Sequence, residues 1–180
     1  MSASGPAPLH AAGVSSTAEL DALVDLAAKR LALAVDVAAA KFVSGQRVDD
    51  AAREREILDW AAGTLGDEAG VARDATVAFF GDQIAANKII QRGLLAHWSD
   101  RPEDFPGQSR SLTEDVRPAL DSINRRMLQL VSRLKATTPQ QRVLAQAALD
   151  RRLAATPVLR VLREPRAEAA NVALESLPAA

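Results

Sequence analysis

The feature that most constrains this chain is an apolar stripe at helical spacing that runs into cations. Leu20, Val24, Ala27, Leu31, Ala34 and Ala38 follow one another in steps of four and three, and the next step lands on Lys41. Such a repeat lines one side of an α-helix and marks the side that a folded protein buries. Arg30 sits beside Leu31 at the edge of the stripe. Arg30 and Lys41 are eleven residues apart, nearly a whole number of turns, so they project from one side roughly 16 Å apart along the axis. A buried cation costs free energy unless something anionic meets it. The pattern therefore asks for an anion, from the protein or from outside it.

The rest of the composition fits a helical domain. Ala and Leu dominate, Tyr is absent, and β-branched runs are few, which favours helices over a sheet. A chain of 180 residues is long enough for one domain with a substantial core. Basic and acidic residues number 22 and 23, so no basic surplus suits a nucleic-acid backbone or a membrane surface. Without cysteine there is no disulfide, thiolate metal site or cysteine nucleophile, and His10 and His97 cannot build a histidine-rich metal centre. No run approaches the roughly 20 apolar residues of a membrane span. The opening MSASGPAPLHAAG lacks the basic and apolar regions of a signal peptide.

In order, residues 1–15 read as a disordered leader rich in Ser, Gly, Pro and Ala, followed by a single domain over 16–180. Ser16 or Thr17 caps a first helix that runs to about Ser44 and stops at Gly45. Asp50 caps a second, which Gly63 and Gly66 end. A third covers about Glu68 to Ser99, with the seam Phe80, Ile84, Asn87, Gln91, Leu94 and Trp98. Residues 16–99 thus hold the first three helices and 100–112 a Pro- and Gly-containing linker. Residues 113–180 complete the fold. Thr113 or Asp115 caps a fourth helix with the seam Val116, Leu120, Ile123, Met127, Leu130 and Leu134. Thr138-Pro139 and Thr156-Pro157 start a fifth and a sixth, the last kinked or broken by Pro165. The expectation is all-α, a single-domain bundle of about six helices.

Six polar residues intrude on these seams: Arg30, Lys41, Arg53, Asn87, Gln91 and Arg117. Four are cations and two are neutral amides. Asp50 and Glu54 share a face with Arg53. No Ser-His-Asp, Cys-His or metal-ligand spacing accompanies them. Each has an ordinary structural explanation taken singly: snorkelling, a helix cap, a solvated face or a buried amide pair. Together they form a donor-rich set without a nucleophile, suited to a small dianion that carries a further acceptor oxygen.

These residues carry a resemblance. LDALVDLAAKRLALAVDVAAAKF followed by DDAARERE resembles the first two helices of the all-α chorismate mutases: an Arg, eleven residues to a Lys, nine to an Asp, three to an Arg-Glu pair. GDQIAANKIIQRGLLAHW is similar to that family's third helix. DVRPALDSINRRML resembles the segment by which the exported (gamma) subclass supplies a last Arg from its own chain. The match covers about residues 18–135 and agrees in spacing and type at eight positions. It implies conversion of chorismate to prephenate by a Claisen rearrangement, a reaction that needs no cofactor or metal. It further implies that Arg30, Arg53 and Arg117, helped by Asn87, grip the carboxylates, that Lys41 and Gln91 donate to the ether oxygen, and that Glu54 with Asp50 holds the ring hydroxyl. The subclass implies a periplasmic or secreted protein, otherwise a cytoplasmic one, and relatives of this length are often homodimers. Some exported relatives carry a disulfide in the C-terminal half, which this chain must replace by packing. A non-catalytic helical module that binds small aromatic carboxylates or a partner helix, and a purely structural bundle, stay open as alternatives.

Overall fold

A computed structural model describes residues 15–65, 71–107 and 110–180. Seven α-helices are described: α1 (Thr17–Ala32), α2 (Ala34–Ser44), α3 (Ala51–Leu65), α4 (Val71–Asp100), α5 (Arg117–Val131), α6 (Pro139–Ala154) and α7 (Arg163–Val172). The first expected helix is interrupted at Leu33, whose backbone stays right-handed at φ −67° and ψ −13°. With α1 and α2 taken as one interrupted rod, the described residues carry the six helices expected. They contain no β-strand, only an isolated bridge between Thr137 and Ala179.

Local chemistry sets most of the ends. Ser16 and Glu19 form a reciprocal capping box at the start of α1, and Thr138 and Gln141 form another at the start of α6. Gly45 closes α2 at φ +67°, a left-handed conformation that costs glycine nothing. Asp50 Oδ1 accepts from Arg53 N at 3.1 Å, the expected cap of α3. Gly63 does not stop that helix, which runs on to Leu65. Gly66, His10 and residues 1–14 lie outside the described residues, as does the expected start of the third helix at Glu68. Ser15, at the end of the expected leader, is buried, with its N–H on Ala136 O and its hydroxyl on Lys135 O.

Three local expectations are corrected. The cap before α5 is Ser111, whose hydroxyl accepts from Glu114 N, and not Thr113 or Asp115. Between it and α5 lies a π turn, Leu112–Val116, in which Val116 N reaches Ser111 O at 3.0 Å. Pro118 is the physical reason: it offers no N–H and its ring crowds the preceding turn, which the wider π geometry relieves. Pro165 breaks nothing, because the chain turns at Leu162 and Pro165 falls in the first turn of α7, where no N–H donor is needed. The segment 100–112 is no loose linker, since Pro102–Asp104 form a 3₁₀ turn and Phe105 packs on Phe42 and Trp98 at ring distances of 5.0 and 5.2 Å. His97, at the end of α4, holds that turn through Asp104, 2.8 Å away.

Helix α4 is the spine. It packs against α2, α3 and α7, while α1 packs against α5 and α6. Leu23, Leu31, Phe79, Phe80, Ile90, Leu94, Trp98 and Met127 are fully buried between them. All six apolar positions of the first stripe are buried, as periodicity required. In α5 the seam is less complete than expected: Leu120, Ile123, Leu130 and Leu134 are only half-buried, and Asn124 takes a buried place among Met127, Leu128 and Val131. Gly93 allows α7 to approach α4, because an added Cβ would meet Leu162 Cδ1 and Pro165 Cβ at 3.2 Å. The C-terminus is tied back through Thr137, which donates from N to Pro178 O and accepts from Ala180 N.

Helix α6, held against α1 at the C-terminal end of the chain, depends on its cap. Thr138→Ala removes the hydroxyl that accepts from Gln141 N and is expected to lower unfolding free energy by about 1 kcal/mol. Urea titration followed by circular dichroism measures that loss.

Candidate functional site

A pocket of about 120 Å³ opens between the α1–α2 rod, α3, α4 and the π turn that leads into α5. Arg30, Lys41, Asp50, Arg53, Glu54, Asn87, Gln91 and Arg117 all line it. These residues come from α1, α2, α3, α4 and α5, with Asp50 just before α3, and only packing could bring them together.

The two deepest cations differ from ordinary buried charges. Arg30 is 3% exposed and Lys41 8%. Among the described residues, no carboxylate lies within 4.0 Å of either. Arg30 Nε donates to Asn124 Oδ1 at 3.0 Å and Nη1 to Gln83 O at 2.8 Å. Burial, aided by the charge of Arg53, pulls its guanidinium down to about 10, which leaves it cationic at neutral pH. Lys41 Nζ donates to Val48 O at 2.7 Å, so the loop before α3 is held by the ammonium. Burial lowers the Lys41 value from that of free lysine, while Asp50, Asp49 and Glu54 oppose the fall. Both groups thus hydrogen-bond only to neutral oxygens, Arg30 with no acid acting on it and Lys41 with Asp50, Asp49 and Glu54 acting at longer range.

The outer cations are not stranded, contrary to expectation. Arg53 pairs with Glu56 and with Asp121, each at 2.7 Å, and these carboxylates outweigh its partial burial to raise its value. Arg117 is exposed at the pocket's rim. Both sit in the first turn of a helix, Arg53 paired with carboxylates and Arg117 exposed. Glu54 is likewise engaged: Lys88 Nζ donates to both its oxygens, at 3.0 and 3.2 Å, and pairs with Asp49 at 2.7 Å. Gln91 Nε2 donates to Asn87 Oδ1, the buried amide pair that four-residue spacing on one helix produces. Gln91 Oε1 is buried without a partner among the described residues.

Sequence reasoning missed two side chains and two backbone carbonyls. Lys88 follows Asn87 and was not singled out, although it lines the pocket. Asn124 sits inside a segment read as a plain apolar seam, and only its one-position offset from Ile123 could have flagged it. The carbonyls of Gln83 and Val48 carry no sequence signal at all, since every residue has one. Among the described residues no cluster of His, Cys, Asp or Glu could hold a metal ion, and no helix is long and apolar enough to cross a membrane.

Residues 16–92 match the family described as chorismate mutase type II, a span that includes every lining residue named above except Arg117. The secreted chorismate mutase of Mycolicibacterium smegmatis is 34% identical over 117 residues, covering 62% of this chain and 60% of that protein. The secreted chorismate mutase of Mycobacterium tuberculosis is 35% identical over 127 residues, covering 69% and 60%. The match therefore spans about 60% of the length of these relatives. Among solved structures, the chorismate mutase of Burkholderia phymatum superposes with a TM-score of 0.70 at 27% identity, over 91% of this chain and 99% of that one. That of Burkholderia thailandensis gives 0.66 at 28% identity, over 88% and 98%. In the residues that match and in the helical fold that encloses them, the chain is similar to the type II chorismate mutases.

Proposed function

We propose that the chain converts chorismate to prephenate in the pocket between α1–α2, α3, α4 and α5. The observation that carries this reading is the pair of buried cations, Arg30 and Lys41, held only by neutral oxygens. Chorismate is a flexible dianion with an ether oxygen and a ring hydroxyl. In its rearrangement the ether C–O bond breaks while a C–C bond forms, within one molecule and with no proton transfer. What a protein can supply is a restrained diaxial shape and donors aimed at the ether oxygen, where negative charge grows.

The roles follow from the chemistry of each group. Arg30 and Arg117 pair with the two carboxylates, for which a planar guanidinium is the best match. Arg53 joins them by exchanging Asp121 or Glu56 for the substrate, and Asn87 adds a neutral donor. Lys41, with its charge held in a low-dielectric pocket, is the main stabiliser of the ether oxygen. Gln91 is the second donor, through the amide N–H not engaged by Asn87. Glu54, held in place by Lys88, accepts from the ring hydroxyl together with Asp50. Every contact comes from one chain, so pairing with a second copy, as a homodimer, is compatible with the site but supplies none of it. The two mycobacterial relatives named as secreted support export, to the periplasm or beyond, for this protein as well.

Following chorismate loss by ultraviolet absorbance with purified protein tests the proposal, and a rate no higher than the spontaneous one ends it. Lys41→Ala is expected to lower kcat by about 10²-fold or more while KM moves far less, as for loss of a donor to developing charge. An unchanged kcat with a raised KM would reduce Lys41 to a binding group. Gln91→Glu is expected to retain activity only where the new carboxyl is protonated. An amide donates at any pH, whereas an ionised carboxylate repels the ether oxygen. The kcat/KM profile of the variant should therefore fall as pH rises through that titration, while the parent profile stays flat over the same range.

A further inference from the structure

Arg30 is held by a side chain that none of these steps uses. Asn124, on α5, is 3% exposed, and its Oδ1 accepts from Arg30 Nε at 3.0 Å. A guanidinium can only donate, so the amide must turn its oxygen towards Arg30. The second hold on Arg30 is the carbonyl of Gln83, at 2.8 Å, and Gln83 is itself fixed by its side-chain N–H on Ala173 O at 2.6 Å. Two neutral oxygens from two helices thus grip the guanidinium.

The choice of an amide is informative, because a carboxylate of the same size would be the ordinary partner for a buried guanidinium. Helix α5 does carry such a carboxylate, one turn earlier: Asp121 meets Arg53 at 2.7 Å. The same helix therefore gives an acid to the half-exposed arginine and an amide to the buried one. An amide supplies the hydrogen bond that orients the guanidinium and withholds the charge that would neutralise it.

We infer that Asn124 is a positioning residue that holds Arg30 by a neutral oxygen and so reserves its charge for a doubly negative ligand, which makes Asn124 a determinant of the site's preference for dianions. The inference rests on the reading of the pocket as a chorismate site. It also assigns a purpose to the C-terminal half beyond packing, since α5 supplies the amide and the Ala173 carbonyl anchors Gln83.

Asn124→Asp separates charge from shape. The variant keeps an acceptor oxygen against Arg30 Nε, replaces the amide NH2 by a second oxygen, and adds a negative charge. Steady-state kinetics with chorismate should show KM raised tenfold or more with kcat changed less, and the thermal midpoint unchanged or higher. A purely structural Asn124 predicts an unchanged KM, and a KM within twofold of the parent overturns the inference. Failure of the variant to fold overturns it too, because an uncompensated buried guanidinium must accept a carboxylate beside it. Asn124→Ser, which keeps a neutral acceptor, should hold KM within about threefold, and a tenfold rise there would show that shape rather than charge is at stake. If the parent protein itself shows no turnover, the reading of the pocket fails and not the inference about Asn124. Isothermal titration of parent and Asn124→Asp with inorganic phosphate then decides the latter: weaker binding by the variant supports it and equal binding overturns it.

Discussion

The structure turns on a guanidinium buried without an acid. Arg30 sits where the first apolar stripe meets α4 and α5, and its two partners are an amide and a backbone carbonyl. Drawing an arginine down to about 10 corresponds to roughly 3 kcal/mol against its charged form. A base whose value is lower in the folded than in the unfolded state destabilises the fold wherever it is charged, and relief comes only above about pH 10. At neutral pH Arg30 is therefore a cost that the surrounding core must offset. The proposed dianion returns part of that cost on binding, which ties stability to function at one residue.

The other charges are graded by depth. Arg30 and Lys41, farthest in, have neutral partners only. Arg53 and Lys88, nearer solvent, are paired with acids, and Arg117 stands exposed at the rim. The outer pairs hold the mouth of the pocket in shape: Lys88 joins α4 to Asp49 and to Glu54 of α3, and Arg53 joins α3 to Asp121 of α5. In the proposed function, a dianion would exchange partners with the ion pairs at the mouth and meet, in the depth, cations hydrogen-bonded only to neutral oxygens.

The C-terminal half contributes geometry as well as the charges of Arg117 and Asp121. Pro118 directly follows the π turn in the first turn of α5, and its neighbour Arg117 lines the pocket there. Asn124 reaches Arg30 from two turns further along α5. Helix α7 nests against α4 at Gly93, and the carbonyl of Ala173 just beyond it fixes Gln83. A stretch without catalytic spacing of its own thus supports the position of the deepest cation.

Much of this was legible from residue order. A 3.6-residue period, capping residues and breakers act within one or two turns, so the helices, the buried stripe and the Ser16, Asp50 and Thr138 caps could be read directly. The Arg30 to Lys41 spacing likewise placed two cations on one side of a helix before any contact was known. What only the tertiary structure decided is which charges meet which partners. That Arg53 is ion-paired, that Glu54 is held by Lys88, and that Asn124 rather than an acid grips Arg30 depend on contacts between helices far apart in the chain. Periodicity tells which side of a helix is buried, but not what stands opposite. For a charge taken out of water, what stands opposite sets both its cost and its use.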